Sequence, residues 1–168
     1  LNSDGLRTLI RTMDIPNMFE KTLRYPGHVE QMRIFMETGF FSMNSIQVKG
    51  ASARPIDMTA SLLSPLWKYE PGEADLTVMR LKISGVEDRN PVTFTYDMCD
   101  EYDPRTETLS MAKTTGYTCT AVTKLVLEGN YSRIGISPPE FIGAEEGCWR
   151  RVEQYLKERG VRCTLETS

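Results

Sequence analysis

An arginine, a tyrosine and a histidine stand within five positions of one another in Thr22-Leu23-Arg24-Tyr25-Pro26-Gly27-His28. Arg24 offers its N–H donors in a planar fork that matches a carboxylate. His28 is the one histidine of the chain, and an imidazole either donates to a ligand or carries a proton near neutral pH. The segment falls where a strand is expected to end and a helix to begin, a place that favours anions. The plainer reading pairs Arg24 with an acidic side chain and packs Tyr25 and His28 inward. Both readings stand on the residues alone. A second group, Thr114-Thr115-Gly116-Tyr117-Thr118, sets hydroxyls around a glycine just before an expected helix. Such a group binds an anionic or zwitterionic ligand through N–H and O–H donors, or else Thr114 or Thr115 simply caps the helix. In Asp4-Gly5-Leu6-Arg7-Thr8-Leu9 the expectation is an N-cap aspartate opening a short helix.

Type and spacing exclude other chemistries. Cys99, Cys119, Cys148 and Cys163 lie 20, 29 and 15 residues apart, whereas zinc sites and redox dithiols use close pairs. Four independent thiols in a reducing cytoplasm are expected. A single histidine does not make a two-histidine site, so no metal is expected. Asp97, Asp100, Glu101 and Asp103 lack the glycine and terminal glutamate of a calcium loop and read as a solvated hairpin tip. The nine methionines read as adaptable core filling. No G-x-G-x-x-G, Walker, G-x-S-x-G or H-E-x-x-H pattern occurs, so no nucleotide or hydrolase site is self-contained. The sequon Asn130-Tyr131-Ser132 reads as idle, since no secretion signal is visible.

The elements that must position these residues follow from periodicity. Residues 18–25 mix aromatic and β-branched types and read as a strand. Pro26-Gly27 opens a helix, with proline in its first turn, Val29, Met32, Phe35 and Met36 as its stripe, and Gly39 as its left-handed stop. A second helix starts near Pro55-Ile56 with Met58, Leu62, Leu63 and Leu66 inward, and Pro65 kinks or ends it. Met79, Leu81 and Ile83 alternate with Arg80 and Lys82, as Val92, Phe94, Tyr96 and Met98 do with their neighbours. These are half-buried strands, joined by the turn-rich residues 84–91. A third strand runs back through residues 106–111. A helix from Thr114 or Gly116 to Glu128 turns Cys119, Val122, Leu125 and Val126 inward and stops at Gly129. After the Ile136-Ser137-Pro138-Pro139 linker, a last helix spans residues 144–159 with Trp149, Val152, Tyr155 and Leu156 as its stripe. Gly160 ends it, and residues 161–165 read as a final strand. The fold class is α+β: a mixed, largely antiparallel sheet with helices on one face.

Composition sets the outer bounds. The chain has 168 residues, 40% hydrophobic and 26% charged, which suits one globular domain. With 20 Lys+Arg against 23 Asp+Glu the net charge is −3, which argues against a nucleic-acid partner. No run of apolar residues is long enough to span a membrane. The chain opens on Leu1 instead of Met and reads as a piece of a longer protein.

The segments Asp4-Gly5-Leu6-Arg7-Thr8-Leu9, Lys21-Thr22-Leu23-Arg24-Tyr25-Pro26-Gly27-His28 and Ala112-Lys113-Thr114-Thr115-Gly116-Tyr117-Thr118, with Pro138-Pro139-Glu140 and Gly143, together resemble the saccharopine dehydrogenase family. The likeness is to its C-terminal, non-nucleotide portion. At Lys113 the sequence departs from the arginine more usual there, so that position is left out of ligand arguments. The resemblance implies a single substrate-binding and dimerisation domain over residues 1–168, similar in fold to the C-terminal catalytic domain of glyceraldehyde-3-phosphate-dehydrogenase-like oxidoreductases. It implies NAD or NADP bound through a missing N-terminal domain and none bound by this piece. It also implies a homodimer, and hydride transfer at the C–N bond of an amino acid or secondary amine of the saccharopine or lysine type. In that setting Arg24, Tyr25, Thr114, Thr115 and Tyr117 are substrate-binding candidates and His28 the catalytic one. The alternative is a non-catalytic binding or dimerisation module of a diverged homologue.

Overall fold

A helix forms where apolar residues repeat every three to four positions and something satisfies its ends; a strand also needs a neighbour. The computed structural model describes residues 4–168 and divides into two units between Glu70 and Pro71. In the first unit α1 (Leu9–Thr12) is a single turn. Thr8, not Asp4, occupies its N-cap position, and Asp4 lies in the preceding turn, where its carbonyl accepts from the Arg7 N–H at 3.1 Å. The strand expected over residues 18–25 is absent. Its composition suits a strand, but the segment holds no more than a single bridge position at Lys21, and β1 (Ile46–Val48) and β2 (Ala51–Ala53) pair with each other. Their turn, Lys49-Gly50, has φ of 47° and 85°, the two positive values that suit a tight hairpin. That hairpin was not foreseen.

Helix α2 (His28–Glu37) starts after Gly27, so Pro26 sits outside the first turn. It ends as expected at Gly39, φ 84°. The Gly39 N–H bonds to the Met36 carbonyl and the Phe40 N–H to that of Phe35, while the Phe35 and Phe40 rings meet edge to face at 5.7 Å. This is the left-handed closure that a glycine permits without a Cβ penalty. Helix α3 (Pro55–Leu63) has Pro55 in its first turn and stops before Pro65. Its expected inward stripe is not buried: Met58, Leu62 and Leu66 are exposed, and Pro55 and Thr59 are covered instead. The Thr59 hydroxyl donates to the Phe40 carbonyl at 2.9 Å.

The second unit is built on β3 (Leu76–Glu87), β4 (Asn90–Glu101) and β5 (Cys163–Thr167), antiparallel in the order β3-β4-β5. The strands continue through most of residues 84–91, leaving only Asp88-Arg89, with φ of 49° and 67°, as the turn. Pairing runs unbroken from Leu76↔Glu101 to Glu87↔Asn90. Residues 97–101 therefore lie in the ladder, not at a hairpin tip. No third strand runs back through residues 106–111; a lone bridge, Asp103↔Thr108, precedes helix α4 (Ser110–Leu127). A short helix, α5 (Pro139–Ala144), follows the Pro138-Pro139 linker, and the expected last helix starts later than residue 144, as α6 (Cys148–Glu158) after Gly147 with φ 76°. Helices α4 and α6 close at Gly129 and Gly160 in the manner of α2. The core comprises Ala121 and Leu125 of α4, Tyr131, and Cys148 and Val152 of α6; Cys119 and Val126 point outward instead.

Register assigns the sheet faces. Met79, Leu81, Ile83, Val92, Phe94, Tyr96, Met98 and Leu165 share one face, and Arg80, Lys82, Thr95 and Asp97 the other. Helix α4 reaches the apolar face at its Thr77 and Asp100 end. The fold is α+β. Among the described residues no helix is long and apolar enough to cross a membrane.

Candidate functional site

Arg24 and Tyr25 lie on the irregular segment before α2, and His28 is the first residue of that helix. The chain reverses at Gly27, whose φ of 87° needs a residue without a Cβ, and the His28 N–H donates to the Tyr25 carbonyl at 3.2 Å. Tyr25 is 86% exposed, Arg24 is exposed and His28 half-buried. Among the described residues Arg24 forms no ion pair, so the plainer reading of a paired arginine finds no partner there. A guanidinium, a phenol and an imidazole thus flank the first turn of a helix, whose outward N–H groups favour an anion.

The second group is placed differently from expectation. Thr114, Thr115 and Tyr117 sit inside α4, after its first turn, and Gly116 is a helical residue. Their N–H groups are therefore committed to the helix and form no anion cradle. The Thr114 hydroxyl donates to the Ser110 carbonyl at 2.9 Å, and that of Thr118 to Thr114 at 2.7 Å. What remains for a ligand is the acceptor side of those hydroxyls, Thr115, which is exposed, and Tyr117, which is half-buried. Thr114 and Tyr117, three residues apart, share a helix face; Thr115 points about 100° away.

The start of α4 holds a polar cluster that sequence reasoning missed. The Asp75 carboxylate accepts the Ser110 N–H at 2.6 Å and the Met111 N–H at 2.9 Å, satisfying two orphan donors of the helix. Ser110 Oγ lies 2.8 Å from both the Asp100 carbonyl and Thr77 Oγ1. The Ser110 hydroxyl is the donor toward both acceptors and shares its one proton between them. Lys113 Nζ meets Asp100 Oδ1 at 3.0 Å with side chains 8% and 4% exposed. Asp100 Oδ2 is buried without a partner. Parity was the available signal: Asp100 alternates onto the face of Met98, and Lys113 lies one and two turns before Tyr117 and Ala121.

On the opposite sheet face Arg80 grips Asp97 through two bonds of 2.6 and 2.8 Å. The hydrogen bond and charge raise the Arg80 pKa and lower that of Asp97. The Arg105 N–H likewise holds the Asp103 carboxyl below its ordinary range, and burial pushes the Cys163 thiol up. Among the described residues no three His, Cys, Asp or Glu side chains gather as a metal site would require. Every strand pairing is antiparallel, so the described residues contain none of the parallel strand–helix–strand units that hold dinucleotides. The family model for the saccharopine dehydrogenase C-terminal domain matches residues 1–161. A match over nearly the whole chain, in agreement with its motifs, places this protein in the saccharopine dehydrogenase C-terminal domain family, a part of oxidoreductases of amino-acid metabolism.

Proposed function

We propose that this chain is the substrate-binding and dimerisation domain of an NAD(P)-dependent oxidoreductase. The substrate is an amino acid or secondary amine of the saccharopine or lysine type, and the reaction is at its C–N bond. The observation that carries the reading is Arg24: an exposed guanidinium beside Tyr25 and His28, with no carboxylate of its own among the described residues. Such a fork binds a substrate carboxylate through paired N–H donors. His28 takes the proton that the substrate nitrogen releases on oxidation, at an imidazole nitrogen. Tyr25 offers its hydroxyl to the substrate's polar groups; Thr114, Thr115 and Tyr117 are substrate-binding candidates within their own unit. The dinucleotide supplies the hydride chemistry when bound. Antiparallel strand pairing among the described residues and a sequence without a glycine-rich turn support its being held by another domain. Four cysteines that are all free support a reducing, cytoplasmic location.

The test is kcat/KM of the full-length enzyme with Arg24→Ala and Arg24→Lys. Losing a charged hydrogen-bonded pair predicts a drop of about tenfold to a few hundredfold, and lysine recovers only part of it. An alanine variant within about twofold of wild type removes the carboxylate role, and parallel loss of activity and Tm makes Arg24 structural.

The homodimer rests on the apolar sheet face. Met79, Leu81, Ile83 and Leu165 are between 41% and 51% exposed, and contiguous apolar surface of that kind is rare on a monomer. A two-fold pairing of these faces covers it. Light scattering is expected to give twice the chain mass at micromolar concentration, and Leu81→Glu to return the monomer. A monomer mass throughout removes the dimer.

A further inference from the structure

An open cleft of about 260 Å³ runs between α4 and α6. Its floor is Ala121 and Leu125, both buried. Its charged rim is Lys124, Glu128, Arg150, Arg151 and Glu158, and none of the candidate substrate residues lines it. Both acids are satisfied within the chain. Glu128 meets Lys124 Nζ at 3.6 Å and accepts from Asn130 Nδ2 at 3.2 Å. Glu158 accepts from Gln154 Nε2 at 2.9 Å and meets Arg159 Nη1 at 3.8 Å. Arg159 in turn stacks on the Tyr155 ring, 3.4 Å from its centroid.

Two charges are left over. Arg150 and Arg151, consecutive on the first turns of α6, both line the cleft, and neither forms an ion pair among the described residues. Two unpaired like charges lining one cleft favour a bound counter-charge, and a guanidinium fork fits carboxylate and phosphate oxygens in pairs. We propose that the α4–α6 cleft is a binding site for a small doubly charged oxyanion, a phosphate or dicarboxylate group, gripped by Arg150 and Arg151. Its volume lies just below the range of drug-sized pockets, which suits a group of that size and not a peptide.

The experiment is an NMR titration of the whole 168-residue chain with inorganic phosphate and, separately, succinate. Sodium chloride at matched ionic strength is the reference. Saturable shifts confined to α6 and the Lys124 turn are expected, with Arg150→Gln/Arg151→Gln at least about tenfold weaker. Arg89→Gln, in the β3–β4 turn, should bind as wild type. Both arginines are exposed, so the double variant should melt with the wild type. Arg150→Lys/Arg151→Lys keeps the charge and should bind in between. Saturation by phosphate alone or succinate alone supports the site and names its source. An equal response to chloride, undiminished binding by the glutamine variant, or a response to polyglutamate but to neither small anion overturns it.

Discussion

Among the described residues, the unit ending at Glu70 buries only Pro55 and Thr59, whereas the unit beginning at Pro71 buries nine residues, from Asp100 to Val161. The first unit is assembled from local devices: a glycine closure after α2, a two-residue turn between β1 and β2, a proline at the start of α3. The second adds an interior in which α4 and α6 share apolar residues and a buried ion pair ties helix to sheet. Local devices fix the course of a backbone, but burial supplies most of the free energy that holds it. The candidate residues Arg24, Tyr25 and His28 are thus carried by the half with the least interior of its own. Removing their side chains should disturb binding far more than folding.

The largest effect expected from this contrast is at Asp100. Asp100→Ala leaves the Lys113 ammonium buried without its partner, an uncompensated charge that costs roughly 3–5 kcal/mol. Arg24→Ala should stay within about 0.5 kcal/mol of wild type, as exposed substitutions do. Urea unfolding of the two variants measures both. Equal stabilities would erase the distinction between the halves.

A smaller effect compares one motif in both places. Gly160→Ala and Gly39→Ala each force a side chain into φ 84° with open space around the new methyl, at an intrinsic cost of about 1 kcal/mol. After Gly160 the chain enters Val161, which is buried, so the whole cost should appear in global unfolding. After Gly39 it enters Phe40, which is exposed, and local fraying should absorb part of it. Thermal melts should rank Gly160→Ala below Gly39→Ala.

The smallest effect is electrostatic and lies on the solvent face of the sheet. Asp97 has a folded-state pKa below its unfolded one because of Arg80. The pair therefore stabilises fully above the unfolded carboxylate range, near pH 4, and its contribution is lost as pH falls through the folded value. Wild type should lead Asp97→Asn slightly in Tm at neutral pH, and the gap should close in acid and in high salt. A constant gap down to the acid limit would count against the pair.

Glycine closures and strand alternation were legible because each is decided within a few residues. Gly39, Gly129 and Gly160 stop their helices for a reason that the type of residue alone conveys. The start of α4 was not legible, because its cap is Asp75, 35 residues before Ser110. The apolar Leu109 stands at the N-cap position and gives no local sign. That displacement turned Thr114-Thr115-Gly116 from a helix entrance into a helix interior. Residues 18–25 show the same limit from the other side: their types suit a strand, but pairing is a property of a neighbour. Arg24 and His28 were found because their chemistry is in the residue types, whereas Asp100 and Lys113 were passed over because burial makes them matter.

The uninterrupted register of β3 with β4 has one more outcome. β3 is an outermost strand of 12 residues, and among the described residues no strand pairs with its far side. It contains no proline and no bulge, and Arg80 and Lys82 are its only cations. A long margin of unpaired N–H and C=O groups without a bulge is a template on which further strands add, and charged side chains are what usually discourage this. Replacing Lys82 by valine removes one of the two cations from this edge and is expected to favour strand addition there.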